Sequence, residues 1–307
     1  IIKNLEEILT NSKMTGVFPI LSMPFTKKDT IDIEDLEKEV EFAIKSGVHG
    51  IGIALASEVY KLTESERETC IKTVVNQVNQ RIKIVINTTS LTTYTTIFYS
   101  KQAKELGADA LMISPPPGLP PEIIVEYYKT ITKQVQLPIF IQDIDETPVS
   151  PPILSKLTED NNTIYYAKVE TTPTPLRMIE AKALLRKNLI LFGGAGGTFY
   201  LEELRLGSEG TMPACVIPDV FSTVWNLFQN NEIDKAEELF RKYAPLLKYL
   251  NHFFHPQRPF DFRGYLAKET LRLRGIFKEA NVRGPAIKPD QFFFDEIRTL
   301  LEEVKLI

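Results

Sequence analysis

Helix-like and strand-like segments alternate along most of this chain, and three of the junctions between them share one local pattern. At residues 46–50, 106–110 and 206–210, a helix ends on a glycine, two residues follow, and a small residue opens a strand. Glycine just past a helix accepts the left-handed backbone conformation that a tight connection requires. The repeated junction indicates a chain built from successive helix–strand units.

Eight strand-like segments, each followed by a segment of helical periodicity, predict a closed parallel (β/α)8 barrel, which is an α/β TIM-barrel fold. The alternative is an open doubly wound sheet, but no GxGxxG motif follows the first strand. The predicted strands are residues 17–24, 50–55, 82–88, 110–114, 138–142, 164–169, 189–192 and 210–214. The predicted helices are residues 33–45, 65–78, 92–106, 122–135, 151–157, 175–186 and 198–206.

The pattern changes after Pro218, where apolar residues at helical spacing alternate with charged faces. We predict amphipathic helices at residues 220–229, 232–250, 265–273 and 291–304. The chain is therefore divided into an N-terminal segment (1–14), the barrel (15–217) and a C-terminal helical extension packed on the barrel (218–307).

Charge and cysteine content narrow the functional classes. A net charge of −4 and a pI near 5.6 argue against nucleic-acid and anionic-membrane partners. Cys70 and Cys215 lie far apart without metal-ligand spacing, so we expect a reducing compartment and no metal or other cofactor. Residues 1–12 lack the apolar core of a secretory signal, and no apolar run approaches a membrane span. A cytoplasmic location is expected.

Lys168 stands next to last in a β-branched and aromatic run, residues 163–169, that we expect to be a strand buried on both faces. Burial of an ammonium favours the uncharged amine. An uncharged lysine amine can attack a carbonyl carbon and form an imine, which is the main catalytic use of a buried lysine. The alternative is a lysine whose ammonium reaches solvent at the end of the strand. This segment alone leaves both interpretations open.

Further polar residues follow the predicted strands at their carboxyl ends, where barrels place their active sites. Ser57 and Glu58 follow the second strand, Gln142 ends the fifth, Glu170 follows the sixth, and the glycine-rich residues 193–197 follow the seventh. This set suits a small oxo acid whose carbonyl meets the lysine and whose carboxylate meets hydroxyls and loop amides. A glycosidase with Glu58 and Glu170 as its paired carboxylates is an alternative, but it gives Lys168 no role.

Motifs along nearly the whole chain point to one enzyme family. They are residues 16–19, 24–25 and 31–32, Ser57-Glu58 with residues 62–63 and 66–67, residues 108–110 with 115–116, residues 137–139, Lys168, and Gly193-Gly194. In this order and spacing, from about Thr15 to the C-terminus, the chain resembles the dihydrodipicolinate synthase / N-acetylneuraminate lyase superfamily of class I, Schiff-base-forming (β/α)8 enzymes. Each motif alone is weak, whereas the combination is specific.

The departures from the family pattern are informative. The hydroxyl pair that holds the substrate carboxylate in the family is here Leu55-Ala56, which leaves Ser57 as the hydroxyl. Gln142 and Pro117 replace two tyrosines, and no arginine for an aldehyde carboxylate stands near Thr147. These changes argue against a lysine-biosynthesis condensation. The pattern is more similar to the 2-keto-3-deoxy-sugar-acid dehydratases, such as the L-2-keto-3-deoxyarabonate dehydratases.

The resemblance implies a lyase that acts on a 2-oxo acid, with dehydration of a 2-keto-3-deoxy sugar acid as the leading reaction. A pyruvate-dependent aldolase or synthase-type condensation is the enzymatic alternative, and an inactive oxo-acid-binding barrel is the non-enzymatic one. A homotetramer or homodimer is also implied. The general base is left open between Ser57, Glu58, Glu170 and a water molecule. The candidate catalytic residues are Lys168, Glu58 and Glu170, and the candidate substrate-binding residues are Ala56, Ser57, Gln142, Gly193 and Gly194.

Overall fold

A computed structural model describes residues 13–159, 165–184, 189–252 and 261–307 of the chain. Within these residues, eight parallel strands form one sheet in the order β1-β8-β7-β6-β5-β4-β3-β2. The strands are β1 (Gly16–Val17), β2 (Gly50–Ile53), β3 (Lys83–Asn87), β4 (Ala110–Ile113), β5 (Ile139–Asp143), β6 (Tyr165–Val169), β7 (Leu189–Gly193) and β8 (Gly210–Thr211).

Ile20 closes the sheet into a barrel. It forms parallel bridges to Gly52 on one side and to Ala214 on the other. The Leu21 N–H also donates to the Gly52 carbonyl at 2.9 Å. The first strand and the second are thereby joined, and the predicted (β/α)8 barrel is confirmed.

Helices alternate with the strands as predicted, and four more follow the last strand. In the described part of the chain they are α1 (Ile33–Lys45), α2 (Glu64–Val78), α3 (Thr93–Leu106), α4 (Pro121–Val135), α5 (Pro151–Leu157), α6 (Thr174–Leu184), α7 (Tyr200–Arg205), α8 (Pro218–Gln229), α9 (Ile233–His252), α10 (Asp261–Leu273) and α11 (Gln291–Glu303). The predicted bounds of α1 and α5 are confirmed, and most other predicted ends shift by one to four residues. Residues 1–12, 163–164 and 185–186, to which the predictions also extend, lie outside the described residues.

The glycine junctions behave as expected. Gly47, Gly107 and Gly207 have φ angles of 75°, 107° and 81°, the left-handed region that favours glycine. The first and last strands are much shorter than predicted, because prolines at positions 19, 24 and 213 lack the N–H that a strand ladder needs.

Aromatic side chains fill the barrel interior below the carboxyl ends of the strands. The Phe140 and Tyr166 rings stack with centroids 4.4 Å apart, and Phe18 and Phe192 meet edge to face at 5.6 Å. A Cβ on the glycine at position 50 would lie 2.2 Å from the Phe18 ring, so this barrel position must lack a side chain. Since Phe140 and Tyr166 each precede a polar residue by two positions on the same inner face, these rings form the floor of the polar site.

Helix α8 contacts β1, and α10 lies over the mouth of the barrel. A small cavity there is bounded on the barrel side by the carboxyl ends of β1, β2 and β8 and on the other side by α10. Its lining residues are Ile20, Ser22, Ala56, Ala214, Arg263, Gly264, Ala267 and Lys268. Among the helices in the described ranges, none combines the length and the apolar character that crossing a membrane requires.

Candidate active site

Lys168 is buried in the barrel at the end of β6. Only 3% of the residue is exposed, so the alternative in which its ammonium reaches bulk solvent is excluded. Tyr166, Lys168 and Glu170 alternate along the chain and therefore share the inner face of the barrel. The Lys168 Nζ lies 3.0 Å from the Glu170 Oε2, which makes an ion pair that we call the Lys168 pair.

Three neighbours fix the carboxylate of Glu170. The Gln142 Nε2 donates to its Oε2 at 2.9 Å, and the Ala195 N–H donates to its Oε1 at 3.3 Å. The third neighbour is Gly194, where a Cβ would lie 2.3 Å from the Glu170 Cγ. Gly194 therefore provides the space in which Glu170 lies beside Lys168.

Gln142 connects the Lys168 pair to two further strands. Its Oε1 accepts hydrogen bonds from the Ser114 Oγ at 3.3 Å and from the Asn87 Nδ2 at 3.4 Å. These donors leave the Gln142 amide nitrogen facing Glu170. A neutral amide neither gains nor loses a proton near neutral pH. Gln142 therefore orients the carboxylate and does not relay protons.

Sequence reasoning missed Asn87 and Ser114. Both are buried, and they occupy the inner-face positions two residues beyond Val85 and Met112, which belong to the barrel interior. Side chains alternate between the two faces of a strand, so the strand bounds would have been enough to predict that Asn87 and Ser114 face the barrel interior.

A second buried carboxyl lies behind the glycine-rich loop. A Cβ on Gly193 would lie 1.8 Å from the Glu203 Oε2, so Gly193 leaves room for Glu203. The Thr174 hydroxyl donates to the Glu203 Oε1 at 2.6 Å. Burial raises the pKa of Glu203 to about 8, against the lowering effect of the Thr174 and Gly194 hydrogen bonds. This side chain is therefore a neutral acid at pH 7, and it supports the loop from behind.

The segment after β2 is a short 3-10 turn, Leu55–Ser57, which sequence analysis did not predict. Ser57 is fully buried; its hydroxyl donates to the Leu21 carbonyl and accepts from the Ala54 N–H. Its single proton is thus used to hold the loop. Ala56 lines the cavity at the barrel mouth. Leu55 and Ala56 are the first two residues of the 3-10 turn, so no earlier turn offers carbonyl acceptors to their N–H groups.

Glu58, the other predicted catalytic carboxylate, lies in a different charge cluster. It is 1% exposed and forms ion pairs with Lys61, at 3.1 Å, and with Lys268 of α10. The Lys268 Nζ also donates to the Asn281 carbonyl at 2.9 Å. Burial lowers the pKa of Lys268, and the charge of Glu58 raises it. We call Glu58, Lys61 and Lys268 the Glu58 cluster; it ties the β2 loop to α10.

Arg263 of α10 was also missed by sequence reasoning. It lines the cavity at the barrel mouth and is partly buried. Burial lowers the pKa of its guanidinium, and the negative charge of Glu170 raises it. No local motif marks this residue, because its neighbours in space come from β6 and from strand ends far away in sequence.

No group of three or more histidine, cysteine, aspartate or glutamate side chains is placed to hold a metal ion in the portion of the chain that the structure covers. The described site contains the Lys168 amine, the Glu170 carboxylate, the Gln142 amide and the Ser114 hydroxyl. This set can form an imine and transfer protons to and from a bound carbonyl compound.

Comparison with known proteins identifies the family. The sequence profile of the dihydrodipicolinate synthetase family matches residues 13–303. The chain belongs to this family. The resemblance inferred from the motifs is thus confirmed.

Relatives and solved structures agree with this assignment. An L-2-keto-3-deoxyarabonate dehydratase of Azospirillum brasilense is 25% identical over 246 residues, which cover 77% of this chain and 79% of the relative. A DapA-like lyase of Thermococcus onnurineus is 30% identical over 303 residues, which cover 95% of this chain and 99% of the relative. The crystal structure of dihydrodipicolinate synthase from Rhodopseudomonas palustris superposes with a TM-score of 0.86 at 22% identity, covering 95% of this chain and 98% of that one.

Proposed function

We propose that this family member is a lysine-imine lyase that dehydrates a 2-keto-3-deoxy sugar acid. The observation that carries the proposal is the Lys168 pair, a buried lysine 3.0 Å from a carboxylate that is itself oriented by Gln142. The pair supplies a nucleophile and a proton acceptor at one place on the inner face of the barrel. Both are needed for imine chemistry at a carbonyl carbon.

In the first stage, Glu170 takes a proton from the Lys168 ammonium, and the neutral amine attacks the C2 carbonyl carbon. The resulting carbinolamine loses its hydroxyl as water, with the proton returned by Glu170. The product is a protonated imine between Lys168 and C2, and Glu170 is a carboxylate again. The proximity of the two groups makes this exchange direct, without a solvent relay.

In the second stage, the imine cation acidifies the C3 proton, and the Glu170 carboxylate removes it to give an enamine. The enamine electrons then expel the C4 hydroxyl, which leaves as water with the proton held by Glu170. Hydrolysis of the remaining imine frees Lys168. In both stages the Glu170 carboxylate first accepts a proton and then donates it. This alternation requires that the carboxylate be held in one position. Gln142, Ala195 and Gly194 provide that restraint.

The residues around the pair support dehydration over condensation. A phenol that could relay protons to a second substrate is replaced by Gln142, whose amide is engaged on both sides. Similarity to the dehydratase of A. brasilense points in the same direction. Glu58 is proposed to position the β2 loop and α10, since two lysines already pair with its carboxylate.

The test is borohydride trapping with pyruvate and with a 2-keto-3-deoxy-pentonate, followed by peptide mass spectrometry. We expect an adduct on Lys168 with both compounds. The Lys168→Met variant should show no adduct, and the exposed-lysine control Lys133→Ala should behave as wild type. Absence of an adduct in folded wild-type protein would contradict the imine mechanism and favour a binding barrel.

Product analysis separates dehydration from carbon–carbon bond cleavage. A dehydratase converts the sugar acid with loss of one water and without release of pyruvate. Pyruvate release, or consumption of pyruvate together with an aldehyde, would instead identify an aldolase or a synthase. Both reactions share the imine on Lys168, so trapping alone does not separate them.

A homo-oligomer is also proposed. Leu91, just before α3, and Tyr94 and Phe98 in its first turns are 77%, 80% and 51% exposed, which is unusual for large apolar side chains so near one another in the chain. Light scattering should give a dimer or tetramer mass, whereas a mass near 34.9 kDa would show a monomer.

A further inference from the structure

Two carboxyl groups flank the start of the glycine-rich loop, one on each side. A Cβ on Gly193 would lie 1.8 Å from the Glu203 Oε2, and a Cβ on Gly194 would lie 2.3 Å from the Glu170 Cγ. Successive residues of an extended chain face opposite sides, so Glu203 lies against the outer side of this segment and Glu170 against the inner side. The next residue, Ala195, donates its N–H to the Glu170 Oε1 at 3.3 Å.

The far end of the loop is held by a group that does not ionise. The Asn251 Nδ2, on α9, donates to the Gly196 carbonyl at 3.3 Å and to the Thr198 hydroxyl at 3.1 Å. A side-chain amide stays neutral near physiological pH, so this attachment does not change with pH. The position of the Ala195 N–H can therefore change with pH only at the end of the loop that Glu203 supports.

The surroundings of Glu203 favour its protonated form. The side chain is fully buried, and the Thr174 hydroxyl donates to its Oε1 at 2.6 Å. The titratable groups that face it are the anions Glu170, across the loop, and Glu202, on its own helix, together with the buried phenol of Tyr200. No cation pairs with it among the residues that the structure describes. A buried carboxyl with anionic neighbours and no cationic partner keeps its proton.

Ionisation of Glu203 would place a second negative charge across the loop from the Glu170 carboxylate. Like charges repel strongly in a buried region of low dielectric constant, and a buried anion without a cationic partner is costly. Only glycine backbone separates the two groups, and the far end of the loop is fixed by Asn251. The displacement therefore falls on residues 193–195.

We infer that Glu203 is a positioning residue for the Lys168 pair: its carboxyl supports residues 193–195 so that the Ala195 N–H stays on Glu170. Loss of the Glu203 proton at high pH moves this segment and takes Glu170 out of its position beside Lys168. The consequence for turnover rests on the proposed function, in which Glu170 is the base. The effect on the Ala195 N–H does not depend on that reaction.

The first test follows the Ala195 amide by heteronuclear NMR in protein labelled at its alanine nitrogens, with the signal identified by its loss in Ala195→Gly. In wild type we expect its chemical shift to change in one step near pH 8, since the pKa of Glu203 is about 8. Glu203→Gln keeps an uncharged group of the same shape and should lack this step. A titration of Glu170 itself would persist in both proteins. A wild type without the step, or the same step in Glu203→Gln, overturns the inference.

The second test measures turnover of a 2-keto-3-deoxy-pentonate between pH 7 and pH 9. Wild type should lose about 10-fold over this range, as expected for a group that ionises near its middle, and Glu203→Gln less than about 3-fold. The matched control is Glu202→Gln, an exposed glutamate on the same helix, which should keep the wild-type loss. Since the charge of Glu202 raises the pKa of Glu203, this control can shift the transition only toward lower pH. An equal loss in wild type and Glu203→Gln would overturn the connection between Glu203 and the base.

The two measurements separate failure of this inference from failure of the proposed function. An Ala195 step that depends on Glu203, without turnover or a borohydride adduct on Lys168 at any pH, would support the positioning role and contradict the imine mechanism. Turnover and an adduct without that step would do the reverse. Circular dichroism at each pH establishes that the compared proteins are folded.

Discussion

Two buried groups of glutamate and lysine stand near the mouth of this barrel, and they differ in their position and in their other partners. In the Lys168 pair, the lysine and glutamate side chains are 4% and 16% exposed. In the Glu58 cluster, Glu58 and Lys268 are each 1% exposed. The first pair lies on the inner face of the barrel, and the second joins a strand end to α10.

The partners explain why one pair suits chemistry and the other suits structure. Glu170 pairs with Lys168 and accepts from the neutral N–H groups of Gln142 and Ala195, so a proton passed from Lys168 leaves the lysine and the carboxyl uncharged. Glu58 pairs with two lysines, and protonating it would leave two buried ammonium groups without their partner. A carboxylate beside a lysine is therefore a base or an anchor according to its other neighbours and its access to a ligand.

The largest effect should come from Glu170→Gln. Removal of a general acid–base lowers turnover by about 10²–10⁴-fold, while the lysine can still form an imine more slowly, with solvent in place of Glu170 as the proton acceptor. Steady-state turnover and borohydride trapping on the same sample measure the two quantities. If turnover persists within a few-fold of wild type, Glu170 is not the base, and the distinction between the two pairs fails.

Glu58→Gln should act on stability instead. Removing one partner of a buried ion pair costs about 3–5 kcal/mol of unfolding free energy, because the lysines lose their counter-charge. Urea denaturation measures this, with Glu68→Gln as the exposed ion-pair control, for which a far smaller change is expected. An unchanged stability together with a collapse of turnover per folded molecule would show that Glu58 is catalytic.

Gly194→Ala tests whether the position of Glu170 matters as much as its presence. The new methyl group would overlap the Glu170 Cγ, so the carboxylate must move away from Lys168. We expect turnover to fall about 10²-fold, the cost of misplacing a catalytic group by about 1 Å. The double variant Gly194→Ala/Glu170→Gln should be little worse than Glu170→Gln alone. If the losses of turnover from the two substitutions are fully additive, Gly194→Ala acts on a group other than Glu170.

Among the described residues no lysine pairs with Glu203, and its substitution should give the most gradual effect, spread over several pH units. Its pKa is raised from 4.5 to about 8, so the folded chain keeps a proton that the unfolded chain releases above about pH 4.5. The stability contribution of this group is therefore present at low pH and is lost as pH rises toward 8. Glu203→Gln removes the dependence, at most about 1.4 kcal/mol per pH unit.

Denaturation of wild type and Glu203→Gln at pH 5.5, 6.5 and 7.5 measures this difference. The free energy of unfolding of the variant should rise relative to that of wild type at each increase in pH. Parallel curves would mean that Glu203 is ionised in the folded protein, despite lacking a lysine partner.

Much of the site was visible in the sequence, for a simple reason. Gln142, Lys168 and Glu170 end or follow recognisable strands, and parallel strands bring their carboxyl ends together in a barrel. Asn87 and Ser114 were missed because their inner-face positions depend on strand bounds and register. Arg263 was missed because a helix distant in sequence brings it to the barrel mouth.

Placement on the barrel did not reveal the role of each side chain. Ser57 is predicted to contact substrate, and in the structure its hydroxyl donates to the Leu21 carbonyl. Gly193 is also predicted to contact substrate, and in the structure it leaves room for Glu203. In both cases the decisive partner comes from another element, which local sequence does not indicate.

The sequence by itself determined the barrel, the family and the lysine, because strand–helix periodicity, glycine junctions and motif spacing are local properties of the chain. Only the tertiary structure decided which glutamate pairs with Lys168, which one anchors α10, and which one stays protonated. The physical reason is that the charge state and role of a carboxylate depend on burial and on partners from distant segments, and folding alone brings those partners together.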